Sequence, residues 1–135
     1  MATQTTAVPG RITFPQVAIV LQTAALFFQA ATAGLLLSSS SGAALHDVGS
    51  RVMYGASMLY VLAAILAWRP GGGSPLPVLY ASGFLVLASV QVVLGITHVA
   101  SLHVPLGILM FGLSVLDLAR ALTPRRRAQR SGDPL

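Results

Sequence analysis

Polar residues are sparse enough along this chain to act as punctuation. No charged residue occurs for 35 positions between Arg11 and Asp47, for 17 between Arg51 and Arg69, or for 47 between Arg69 and Asp117. A helix that crosses a membrane needs roughly 20 apolar residues, so the first two runs each hold one helix. The third run holds two, because the polar stretch HVASLH, His98 to His103, interrupts it. The run Ser38-Ser39-Ser40-Ser41-Gly42 and the breakers WRPGGGSP, Trp68 to Pro75, supply the other turns. The pattern predicts helices over Pro15 to Leu37, Ala44 to Trp68, Leu76 to Thr97 and Ser101 to Leu122, between an N-terminal segment, 1–14, and a basic tail, 123–135. Pro105 is expected in the opening turn of the fourth helix, where its missing amide costs nothing. The first run exceeds the apolar core of a secretory signal and lacks a dense basic stretch before it, so it reads as a retained helix.

Composition turns this pattern into a fold class. Only 8% of the residues are charged and 55% are hydrophobic, and mean hydropathy is +0.80. A soluble domain carries about a quarter charged residues, so the expectation is an all-α, multi-pass protein of the cell membrane: an antiparallel bundle of four transmembrane helices in lipid. Arginine placement orients it. Arg11, Arg69, Arg120, Arg125, Arg126, Arg127 and Arg130 belong to one side and Arg51 alone to the other, which predicts cytoplasmic termini by the positive-inside rule. Trp68 and Arg69 suit a headgroup-level anchor, and Asp117 is expected to pair with Arg120 three residues on. The tail RRRAQR is long enough to touch anionic lipid but supplies too little basic surface for nucleic acid.

Candidate chemistry gathers on the other side. All three histidines fall at the two outward connections, His46 at the start of the second helix and His98 and His103 around the start of the fourth. Helices two and four run parallel, so His46 and His103 lie at matching depth on the same bundle. Opposed imidazoles in an apolar bundle suit an iron porphyrin, whose iron takes axial histidines and whose edge is apolar. The expected cofactor is heme b, with His46 and His103 as axial ligands. Gly49 and Gly107, one turn after them, are expected to leave room for a flat ring. Arg51 is a candidate for a heme carboxylate or a lipid phosphate, and Gln91 for an interhelical bond or a cofactor edge. His98 is read as a rim residue, with a third ligand or proton-handling role as the alternative. Cysteine is absent, which excludes thiolate metal sites and iron–sulfur clusters. No paired carboxylates, nucleophile elbow, HExxH or phosphate loop is present, so hydrolysis and phosphoryl transfer lack support.

The segments ALHDVGSRVMYGASMLYVLAAIL and ASGFLVLASVQVVLGITHVASLHVPLGILMFGLSVL resemble one four-helix half of the heme A synthase family, over about Leu45 to Leu118. That family is built of two similar four-helix bundles, each able to hold heme between histidines at the outer starts of its second and fourth helices. The resemblance puts His46 of LHDVGSR and His103 of LHVPLG at those positions. It departs where the catalytic half of the family has a glutamate and an arginine around its first histidine; Ala43 and Asp47 stand there, and the cysteine pair of many members is missing. The resemblance therefore implies the heme-holding scaffold more than heme modification, and a homodimer would rebuild the eight-helix arrangement.

The expected function is a membrane heme-binding protein for electron transfer or heme handling, exchanging electrons with a quinone or a membrane redox partner. The alternatives are a heme-modifying enzyme or subunit acting on the same site, a noncatalytic structural membrane subunit, and a copper or zinc site built from all three histidines.

Overall fold

A computed structural model describes residues 12–36, 38–70 and 72–123. The N-terminal arginine Arg11, the expected helix end at Leu37 and the basic tail beyond Thr123 lie outside the described residues. Four helices form in the expected order: α1 (Phe14–Leu36), α2 (Ser41–Trp68), α3 (Leu76–Ile96) and α4 (Ala100–Leu122). Each is long and apolar enough to cross a membrane. Large apolar side chains cover the exterior, Phe27, Leu79 and Ile108 among them, a surface suited to lipid.

The helices form a ring in which α1 touches α2, α2 touches α3, α3 touches α4 and α4 returns to α1. Helices α2 and α4 are therefore diagonal. Two apolar clusters fill the centre. Ala25, Leu26, Met53, Phe84, Ala88 and Met110 form the one nearer the histidines, and Ala18, Ile19, Tyr60, Ala63, Ala64 and Ala81 the one at the opposite end. Between them lies a polar layer. Thr23 and Ser114 share a hydrogen bond of 2.7 Å between α1 and α4, Ser57 turns back to its own helix at Met53, and the buried Gln22 amide has no hydrogen-bond partner among the described residues.

Two expectations are corrected. Asp117 does not pair with Arg120; its carboxylate accepts a 2.6 Å hydrogen bond from the Tyr60 hydroxyl across the α2–α4 diagonal. A side chain pointing into the bundle meets the opposite helix, whereas an i,i+3 arginine near the helix end reaches outward to solvent or headgroups. Pro105 also lies deeper than the opening turn, since α4 begins at Ala100. Its missing N–H therefore deprives the Ser101 carbonyl of its intrahelical partner. Helix α2 begins three residues earlier than expected because Ser39 and Gly42 close the hairpin tightly, with the Gly42 amide donating to the Ser39 carbonyl at 3.2 Å. A Cβ on Gly42 would fall 2.6 Å from the Leu35 carbonyl oxygen, so only glycine allows that approach. At the other end Arg69 stacks over the Trp68 ring, 4.7 Å from its centroid.

The α3–α4 turn explains how one histidine is used. The His98 amide donates to the Gly95 carbonyl at 3.1 Å and the Val99 amide to the Leu94 carbonyl at 3.0 Å, the paired closure of a Schellman motif. His98 takes the left-handed position of that motif, at φ 57°. Replacing His98 by glycine is expected to preserve or raise the thermal midpoint of the detergent-solubilised protein, whereas His98→Val, branched at Cβ, should cost about 1–2 kcal/mol. Circular dichroism melts of the two variants check this.

Candidate functional site

The two ends of the diagonal meet at the histidine end of the bundle. His46, in the second turn of α2, and His103, four residues into α4, stand with ring centroids 6.2 Å apart and ring planes 71° from parallel. Both rings are partly buried. The α2 and α4 backbones do not approach each other, so the gap between them is spanned by side chains, the two imidazoles among them.

Each ring is held from behind, and in the same way. His103 Nδ1 lies 3.0 Å from the Gln91 backbone carbonyl of α3. That oxygen only accepts, so Nδ1 carries a proton, and of the two neutral tautomers the contact selects the one whose lone pair is on Nε2. The Gln91 side chain returns the contact, its Nε2 donating to the His103 carbonyl at 2.7 Å. On the other side His46 Nδ1 lies 3.2 Å from the Thr32 hydroxyl of α1, which itself donates to the Gln29 carbonyl at 3.1 Å. When the hydroxyl proton is engaged by Gln29, the oxygen accepts from His46 Nδ1–H, the tautomer that leaves Nε2 for a ligand. A hydrogen bond from Nδ1 to a group behind the ring is how proteins orient imidazoles that ligate through Nε2.

Glycines make these approaches close. A Cβ on Gly107 would lie 2.9 Å from Gln91 Nε2, and one on Gly95 would lie 3.2 Å from His103 Cε1. Gly49 does the same for α1, since a Cβ there would collide with Gln29 Oε1 and Phe28. The space over Gly49 and Gly107 is thus occupied by the amides of Gln29 and Gln91. Each glutamine lies over a glycine about one turn beyond the histidine that its helix supports.

Beside the pair is a cavity of about 280 Å³. His46, His103, Gln29 and Gln91 form its polar rim, Leu26, Met53 and Met110 its apolar floor, and Gly107 part of its α4 wall. Gln91 Oε1, buried there, has no hydrogen-bond partner among the described residues. Two imidazoles bound on opposite sides of one metal through bonds of about 2.0 Å stand with centroids roughly 6 Å apart, which the observed 6.2 Å matches. The donor set, two imidazoles in an apolar surround, is of a kind that heme iron accepts.

The remaining candidates lie elsewhere. Arg51 projects outward, its side chain 77% exposed and paired with Asp47 at 2.9 Å. It lines a separate groove with Ser50, Tyr54, Ser89 and Val92, where the Tyr54 and Ser89 hydroxyls share a 3.1 Å bond. His98 is exposed at the α3–α4 turn. Among the described residues no group of three or more His, Asp or Glu converges on one point, so a three-histidine metal site does not form. Thr32, Met53 and Met110 do not stand out as site residues in the sequence, whereas Gln29, seven residues after Gln22 on one face of the first helix, is an amide expected to point into the bundle. For Thr32 and Gln29 the available signal was their i,i+3 spacing at the end of α1 that faces the histidines.

No protein-family model matches the chain, and neither a search of characterised proteins nor one of solved structures finds a match.

The clamp makes a prediction about Gly107. Gly107→Ala is expected to lower stability in the wild-type background, because its methyl displaces the Gln91 amide. In a Gln91→Ala background the same change should stabilise, by the usual helix preference of alanine over glycine, about 0.5–1 kcal/mol. A double-mutant cycle of unfolding free energies in detergent should give a coupling of about 1 kcal/mol. Stabilisation by the same amount in both backgrounds would show that the glutamine does not depend on this glycine.

Proposed function

We propose that this chain is a multi-pass membrane protein that holds one heme b between His46 and His103, for electron transfer or heme handling. The observation that carries the proposal is the paired arrangement of the two imidazoles. Both have Nδ1 engaged by a neighbouring helix, both line one cavity, and their 6.2 Å separation suits one iron between them. When bound, the iron would supply one-electron chemistry. What the chain itself does is narrower. Gln91 and Thr32 hold the protons on Nδ1 and fix the ring orientations, and Leu26, Met53 and Met110 keep water from the floor of the cavity. Held by both His46 and His103, the group would be suited to electron transfer more than to oxygen activation.

The arginine distribution favours placing both termini and the α2–α3 loop in the cytoplasm and the histidine end outside. The heme A synthase resemblance agrees with this placement and with the ligand pair. The carboxylate next to His46 along the chain, Asp47, is turned to Arg51 on the outer surface, which favours a holding or electron-transfer role over heme modification.

The test is a reduced-minus-oxidised visible spectrum of the detergent-purified protein reconstituted with iron protoporphyrin IX. Sharp low-spin bands are expected in wild type and in His98→Ala, and should be lost in both His46→Ala and His103→Ala. Retention of the bands in either of the last two would sink the ligand assignment.

A further inference from the structure

The cavity beside the histidine pair is smaller than a porphyrin, and its long wall is a seam between helices. Of the four helix contacts in the ring, α1–α2, α2–α3 and α3–α4 are each joined by a short loop. The α4–α1 contact joins the first helix to the last and has no loop across it. It is the one seam that can part without straining a connection.

This seam is fastened unevenly. At the end away from the histidines, Gln16 Nε2 donates to the Ala121 carbonyl at 2.9 Å, and Thr23 meets Ser114 at 2.7 Å. Midway, the Phe27 and Phe111 rings meet at a centroid distance of 6.3 Å. Beyond them, toward the histidines, the facing positions are Ala30 and Ala33 on α1 and Val104 and Ile108 on α4, and all four line the cavity. Ala30 is exposed on the bundle exterior, as are Val104 at 56% and Ile108 at 68%. The α1 lip is made of methyl groups, whereas the other route to the histidines passes the tight α1–α2 and α3–α4 turns. There Gly42 presses on the Leu35 backbone and the Gln91–His103 pair closes α3 onto α4.

We infer that the α1–α4 seam is the port through which the ligand of the histidine pair reaches it sideways from the bilayer, as a membrane-dissolved metalloporphyrin. The inference rests on the heme reading above. Helices α1 and α4 part at the histidine end about the Thr23–Ser114 and Gln16–Ala121 bonds, which act as the hinge. The apolar edge of the macrocycle stays in the seam against Ala30, Ala33 and Ile108, in contact with lipid.

The test follows the rate at which the protein, in phosphatidylcholine vesicles, takes up iron protoporphyrin IX already dissolved in the bilayer, read from the Soret band. Ala30→Trp and Ile108→Trp narrow the seam from its two sides, and each is expected to slow uptake about 10-fold or more. The low-spin bands that form should keep their position, since the same two histidines bind. Ser39→Trp, in the α1–α2 turn at the aqueous end, is expected to leave the rate unchanged. Uptake by both seam variants at the wild-type rate, or slowing by Ser39→Trp alone, would overturn the lateral port while leaving the heme reading standing. Absence of low-spin bands from wild type itself would overturn both.

Discussion

One glutamine joins α3 to α4 twice, and the placement of the histidine pair depends on it. The Gln91 carbonyl receives the His103 Nδ1 proton and the Gln91 amide reaches the His103 carbonyl. In hydrocarbon no water replaces such bonds, so a polar side chain must find its partner inside the bundle. An interhelical hydrogen bond there contributes about 0.6 kcal/mol on average and up to about 1.7, a modest gain in stability. Its larger effect is directional. With Nδ1 committed, the ring has one other nitrogen to offer, and it lines the same cavity as His46, which Thr32 holds.

The same constraint organises the rest of the interior. Helices α2 and α4 do not touch, yet side chains bridge their diagonal at both ends, His46 toward His103 and Tyr60 to Asp117. The Tyr60 bond gives the acid within α4 a donor and leaves Arg120 free to face outward. Between these bridges the apolar clusters and the Thr23–Ser114 bond hold α1 against its neighbours. The bundle is therefore tied firmly at the tryptophan end and by glutamine clamps at the histidine end, with the α1–α4 contact as the one side that no loop crosses.

Much of this was legible in the sequence because charge is so scarce. Gaps between charged residues gave four helices whose ends differ by a few residues at most, and the parallel starts of α2 and α4 placed His46 and His103 at one level. What the sequence hid was lateral. Periodicity cannot say that Asp117 faces Tyr60 across the bundle, since both partners look like isolated polar residues in apolar runs. Glycines were equally ambiguous: Gly49 and Gly107 are one turn from their histidines as expected, but the side chains they admit are Gln29 and Gln91. Arg51, near His46 along the chain, turns to Asp47 on the outer surface because four residues bring it round the helix beside that acid. Thr32, the hydroxyl behind His46, lay in the one helix whose sequence resembled the family only in character.

The most direct measurement is electron paramagnetic resonance of the ferric protein reconstituted with iron protoporphyrin IX. The ring planes of His46 and His103 stand 71° apart, and near-perpendicular axial imidazoles leave the two iron orbitals that bond to them nearly degenerate. The expected spectrum is a strongly anisotropic low-spin signal, distinct from the rhombic one that parallel imidazoles give. A high-spin signal, showing that only one histidine binds, would contradict the paired site.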